Sequence, residues 1–228
     1  MTKPKPLPKP QLNKQKIKSE KAQDAICEAT IQSLYEVGYA ETTLNKVAHM
    51  AGFSKGALQH HFPSKEDLIA ATVNRLLERT SSGNVDTSDS TTVNASSKKT
   101  QEHHFDSVST ALLWSWQKMV NTDQYRALLE VLNAARADKK LNHRISEDLH
   151  AWGRALDQQA VNNYQSVHGT DEDVKALLSM TRSFMRGLVI QEQYSSDPSE
   201  NLDQIHRWLE LVAPLLELRK HADKEIRT

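Results

Sequence analysis

The stretch Thr42–Leu68, TTLNKVAHMAGFSKGALQHHFPSKEDL, holds two short apolar runs at helical spacing with a glycine between them. Leu44, Val47 and Ala48 recur at three- and four-residue steps, and Gly52 then ends the run after about two turns. Thr42 or Thr43 can cap its start, because a threonine hydroxyl accepts from the free N–H groups of a first helical turn. A second short helix begins near Ser54 and closes at Pro63, whose ring disfavours a helical residue before it. Val47, Ala48, Leu58 and Phe62 supply the apolar contacts that fix the angle between the two. The result is helix-turn-helix geometry. Ser64, with an acid three residues on at Asp67, then offers a capping-box-like start for a helix carrying Leu68, Ile69, Thr72 and Leu76, which reaches about Arg79.

Upstream, Ala22, Ile26, Ala29, Ser33, Leu34 and Val37 predict a helix from about Lys16 that stops at Gly38. Before it, Pro4, Pro6, Pro8 and Pro10 alternate with lysines, so residues 1–15 read as a flexible basic arm. Downstream, Ser81–Thr100 has too little apolar material to bury, and 81–104 reads as a flexible loop. Helical patterns resume over Phe105–Val120, Asp123–Ala137, Leu141–Val167, Asp171–Tyr194 and Asn201–Lys220. Pro214 should kink the last of them. No strand-like alternation bounded by hairpin turns is evident, so the expected fold is all-α. A three-helix helix-turn-helix domain over 16–64 precedes a larger helical domain over 65–228.

The 228 residues carry no net charge, yet the charge is split. Residues 1–65 hold ten lysines, no arginine and five acids, a balance of +5 that leaves −5 on the remainder. A basic end on an acidic body fits a chain that meets phosphate at one end only, since each lysine set against the backbone releases counterions. Cys27 is the only cysteine, which excludes an intrachain disulfide or a cysteine-based zinc cluster and favours a reducing compartment. With no signal-like apolar core and no run long enough to span a bilayer, the expected location is cytoplasmic.

The major groove of DNA admits one helix and displays the donor and acceptor pattern that separates the base pairs. On the helix after Gly52, Lys55 and Gln59 lie one turn apart on a shared face. A lysine can donate to guanine O6 and N7 and a glutamine can pair with adenine N6 and N7. Gly56 and Ala57 are small enough for close backbone approach. Thr43, His60 and Lys65 fall where backbone phosphates are expected, and Asn45 and Ser54 complete the candidate DNA-binding set.

Gly38-Tyr39, Thr42-Thr43, Val47-Ala48, Ala51-Gly52, Ser54-Lys55-Gly56, Leu58, His61-Phe62 and Ser64-Lys65-Glu66-Asp67-Leu68 stand in a familiar order. Over about residues 18–70 the chain resembles the TetR family of one-component transcriptional regulators. Gln59 departs from the pattern, because the family usually places a phosphate-contacting tyrosine there. The resemblance implies that the larger helical domain is an effector-binding and dimerisation domain. It further implies a repressor that leaves a near-palindromic operator in double-stranded DNA when a small-molecule effector binds. The alternative is a DNA-binding interaction or architectural module governed by a protein partner or by no ligand.

Within the larger domain, Trp114, Met119, Trp152, Met180 and Phe184 are the candidate effector-pocket residues. The segment Asn201–Lys220 shows one stripe of Ile205, Trp208, Leu209 and Val212 and a second of Leu211, Leu215 and Leu218, which calls for two packing partners. Thr181, Met185, Leu188, Trp208, Leu211 and Leu215 are therefore expected at a homodimer interface.

Other chemistry is not expected. Gly52-Phe53-Ser54-Lys55-Gly56 matches the G-x-S-x-G elbow in letters, but a short helix rather than a strand precedes Ser54, so no catalytic role is read there. The adjacent pairs His60-His61 and His103-His104 point in different directions on a helix and cannot share a metal as an i, i+4 pair would. A metal site built from His104, His143, His150 and carboxylates would need assembly in three dimensions. No metal and no cofactor are expected, and no membrane contact.

Overall fold

The computed structural model describes residues 10–82, 105–195, 197 and 199–219. Among the described residues, nine α-helices and two short strands run in the order α1 Pro10–Glu41, α2 Leu44–Met50, α3 Lys55–His61, α4 Lys65–Ser82, α5 Val108–Ser115, α6 Asp123–Ala137, α7 Lys139–Asn163, β1 Tyr164–Ser166, α8 Asp171–Gln191, α9 Glu200–Val212 and β2 Leu216–Leu218. The described residues of 1–75 and 127–144 form one compact unit, and those of 76–126 and 145–228 form another.

In the first unit, α1 starts earlier than expected, so Pro10–Gln15 of the proposed arm are already helical, while 1–9 lie outside the described residues. Gly38 does break the helix: at φ 76° it occupies the left-handed region that an L side chain enters only with strain. Thr42 then donates its hydroxyl hydrogen to the Gly38 carbonyl at 2.8 Å and so supports the break. Of the two candidate caps for α2 it is Thr43 that serves, accepting from Lys46 N at 3.2 Å, whereas Thr42 is buried. Gly52, at φ 72°, turns the chain into α3, and Ser54 caps α3 by accepting from Ala57 N. Ser64 opens α4 as expected, accepting from Asp67 N at 3.0 Å and donating to Asp67 Oδ2 at 2.7 Å.

These turns close over one core. Ile26, Cys27 and Ala29 of α1 meet Val47 and Ala48 of α2, Leu58 of α3, Phe62 just after α3, and Leu68 of α4. Each fully buried aliphatic side chain here contributes about 1.5–3 kcal/mol, which holds helices of two turns that would not survive alone.

In the second unit the sequence expectations need three corrections. The segment Phe105–Val120 is not one α-helix: α5 ends at Ser115, and Trp116–Val120 forms a π-helical turn. The segment Leu141–Val167 is helical only to Asn163, after which Tyr164–Ser166 forms a strand. Nor is Asn201–Lys220 a kinked helix. Pro214 ends it, because a proline has no N–H to continue the ladder, and a 3₁₀ turn over Ala213–Leu215 leads into the strand Leu216–Leu218. The two strands pair antiparallel, with Gln165 opposite Glu217, a three-residue ribbon in a fold that is otherwise all-α as expected among the described residues. Three residues per strand are too few for alternation to show in a sequence. The loop proposed at 81–104 falls almost wholly outside the described residues, α4 running to Ser82.

Candidate nucleic-acid interface

The helix-turn-helix presents its candidate contacts outward. Thr43, Asn45, Ser54, Lys55, Gly56, Ala57, Gln59 and His60 are all exposed, whereas Val47, Ala48 and Leu58 on the opposite sides of the same helices are buried. The caps explain the division. Thr43 and Ser54 each satisfy a free N–H of a first helical turn, so α2 and α3 begin where the chain requires and turn their polar faces to solvent. Gly56 has no heavy atom within 4 Å of where a Cβ would stand, so the start of α3 is open to close approach. The sequence reading passed over His49, which is exposed in the last turn of α2, where a cation is favoured by the helix dipole.

Lys65 behaves differently from the other eight. It is half-buried, with its ammonium donating to the Tyr39 carbonyl at 2.6 Å and standing 4.0 Å over the Tyr39 ring. Burial lowers its pKa below the ordinary lysine value, opposed by the Glu66, Asp138 and Glu41 carboxylates. Tyr39 in turn donates its phenol hydrogen to Asp138 Oδ2 at 3.3 Å, and burial together with that carboxylate pushes the phenol up to about 12. Asp138 Oδ1 accepts from Lys140 N and Leu141 N, both at 3.0 Å, and so caps α7. Arg144 Nε reaches Asp67 Oδ1 at 3.3 Å.

The pocket candidates of the second unit lie on different elements: Trp114 on α5, Met119 on the π-helical turn, Trp152 on α7, and Met180 and Phe184 on α8. Phe184 stacks on Trp208 with ring centroids 4.9 Å apart, and the Trp208 indole N–H donates to Thr181 Oγ1 at 3.1 Å. Trp114 meets Phe105 at 5.7 Å. Met119 lies on the π-helical turn, where it accepts a long 3.7 Å contact from Ser115, and α8 packs against that turn. The Trp152 indole N–H is buried with no hydrogen-bond partner among the described residues. Met180, at 58% exposure, stands on the outside of α8.

The interface candidates divide in the same way. Thr181, Met185 and Leu188 are each 2% exposed within the single chain, so their apolar surface is already covered. Leu211 and Leu215 are exposed, at 69% and 44%, and Trp208 is half-buried. Since α9 ends at Val212, Leu215 and Leu218 do not belong to a helical stripe as expected. The outward face of α8 instead carries Met180, Ser183, Ile190 and, just beyond its end, Tyr194, at three-, four- and seven-residue steps.

Among the described residues no group of three or more His, Cys, Asp or Glu side chains could hold a metal ion, and no helix is long and apolar enough to cross a membrane. His104 lies outside the described residues.

Residues 26–72 match the family model for bacterial regulatory proteins of the tetR family. Over 58 residues the chain is 34% identical to the HTH-type transcriptional regulator BetI of Pseudomonas fluorescens, an alignment covering 25% of this chain and 29% of that one. The chain thus spans less than a third of that relative. Two solved structures resemble it over far more of its length. A TetR transcription regulator from Haloarcula marismortui superposes with a TM-score of 0.57 at 23% identity, covering 87% of this chain and all of the other. A transcriptional regulator from Saccharomonospora viridis, in complex with choline, does so with a TM-score of 0.58 at 14% identity, covering 88% of this chain and all of that one. Residues 26–72 are thus similar to the tetR-family regulatory domain, and the fold is that of these two solved structures.

Proposed function

We propose that this chain is a sequence-specific DNA-binding transcriptional regulator, a homodimeric repressor released from a near-palindromic operator by a small-molecule effector. The observation that carries the reading is the single outward face of α2 and α3. Eight candidate contacts are exposed on two capped helices whose other sides are locked into one core. In this reading α3 enters the major groove, Lys55 and Gln59 read base edges, and Thr43 and His60 meet phosphates. Residues 16–64 form the reading domain and 65–228 the effector-binding and dimerisation domain.

Dimerisation would use Met180, Ile190 and Tyr194 together with Leu211 and Leu215, which are among the apolar side chains that the single chain leaves exposed. Two heads related by a twofold axis would then reach successive major grooves, roughly 34–36 Å apart, and an effector that prefers another separation would lower operator affinity by its differential binding. Selection of bound duplexes from a random library, followed by footprinting, tests the reading. A protected inverted repeat is expected, and no enrichment over input would sink it. A thermal-shift screen paired with operator release, with choline among the compounds because the Saccharomonospora viridis structure holds it, separates the effector-controlled repressor from the module that answers to no ligand.

A further inference from the structure

Three arginines stand on α6 and α8 in the second unit, and two of them are matched by carboxylates. Arg126 meets Glu192 and Asp123, and Arg182 reaches Asp157 of α7 at 3.0 Å. Arg186 is the exception. It is half-buried, its Nε donates to the Tyr125 hydroxyl at 3.4 Å, and among the described residues nothing accepts from its two Nη groups. A guanidinium drawn partly out of water without a counter-charge is costly unless something pairs with it.

The neighbouring pair shows where that charge would come from. Arg219 gathers Val161 O near the end of α7 and Asp171 Oδ1 at the start of α8, and Asp157 meets Arg182 further along, so the two helices run antiparallel. One turn beyond that pair, on the same side of each helix, come Gly153 and Arg186. Where α7 would need a second carboxylate it has a half-buried glycine, and no heavy atom lies within 4 Å of where its Cβ would stand. The same open space adjoins Gly187, the residue after Arg186. Trp152, the residue before Gly153, has a buried indole N–H with no acceptor among the described residues.

We propose that this place between α7 and α8 binds the carboxylate of a small organic acid, which gives Arg186 the group that Asp157 gives Arg182 and accepts from the Trp152 N–H. A carboxylate is the matching group because its two oxygens meet the parallel N–H donors of a guanidinium. The proposal rests on the effector-controlled reading above and sets the effector's class, an acid rather than a cation.

The probes are acetate, hexanoate and benzoate, each compared with the amide of the same shape at equal ionic strength. The readout is the indole N–H resonance of Trp152 in the full chain, assigned with Trp152→Phe. A saturable shift is expected with a carboxylate and not with its amide, and Arg186→Gln should weaken that binding by about tenfold or more. Gly153→Asp tests the geometry without any ligand, because it supplies the carboxylate from α7 itself. Its thermal midpoint should exceed that of Gly153→Asn by about 2–4 °C, the difference should vanish once Arg186→Gln is added, and the shift with added acid should be lost. The comparison of Gly153→Asp with Gly153→Asn stands even where circular dichroism shows Arg186→Gln to be unfolded. Carboxylates and amides that act alike on Trp152, or Gly153→Asp no more stable than Gly153→Asn, would overturn the proposal. Operator release measured in parallel separates the two readings. Release by other compounds with no acid bound leaves the effector reading standing and removes this one. Acids that bind through Arg186 but leave the operator complex unchanged support the site and remove its effector role.

Discussion

The hydroxyls of Ser33 and Thr42 meet at 3.0 Å in the core of the first unit, where both residues are essentially inaccessible to water. Because Thr42 directs its hydrogen to the Gly38 carbonyl, Ser33 is the donor of the shared bond. Thr42→Val keeps the shape and strands both the Ser33 hydroxyl and the Gly38 carbonyl. The expected loss is about 1–3 kcal/mol, read from the urea midpoint. The double variant with Ser33→Ala should lose less than the sum of the singles, since it removes the donor that would otherwise be orphaned.

Gly56→Ala separates stability from function. Nothing stands within 4 Å of the added Cβ, and Gly56 lies inside α3, so the substitution should stabilise the fold by about 0.5–1 kcal/mol. If α3 approaches DNA closely at this point, the same methyl lowers operator affinity. A thermal melt and a binding titration on one preparation give both signs.

Arg219 staples the second unit. Its side chain is 14% exposed, with Nε donating to Val161 O at 2.7 Å and Tyr164 O at 3.0 Å, and Nη2 to Asp171 Oδ1 at 2.7 Å. Arg219→Ala leaves a carbonyl in the last turn of α7, one at the start of β1 and a carboxylate at the start of α8 without this donor. A loss of about 2–4 kcal/mol is expected in chemical denaturation. Arg219→Lys should recover only part of it, because an ammonium cannot reproduce the guanidinium fork.

Asp67 gives the head a pH dependence. The Ser64 hydroxyl, more than Arg144, holds its carboxyl below the ordinary aspartate range. With the folded pKa depressed, the unfolded chain takes up the proton first. The stabilisation is therefore complete above the ordinary value of about 3.9 and is lost as pH falls through the folded one. Denaturant midpoints for the wild type and Ser64→Ala should converge between neutral pH and about pH 3, after allowance for the constant loss of the Asp67 N–H cap. A gap that stays constant would show that the carboxylate contributes nothing.

The parts of the fold that sequence reading reached are those that local chemistry decides. The caps at Thr43, Ser54 and Ser64 and the reversals at Gly38 and Gly52 depend on side chains within four residues, so these turns were legible. The face of α8 was not, because Thr181, Met185 and Leu188 recur at the same helical steps whether they meet their own chain or a second copy. The strands escaped for a similar reason: β1 and β2 are three residues each and exist through each other and Arg219, fifty residues apart in sequence order. Lys65 was expected on phosphate, but its partners Tyr39 and Asp138 come from elements that no periodicity connects.

Cys27, the chain's single thiol, lies at 5% exposure in the middle of the head's core, and burial raises its pKa. A thiol reagent can reach it only when α1 parts from its neighbours. The labelling rate of unmodified protein thus records how often the reading head opens, and DNA that clamps the head shut should slow it in proportion to occupancy.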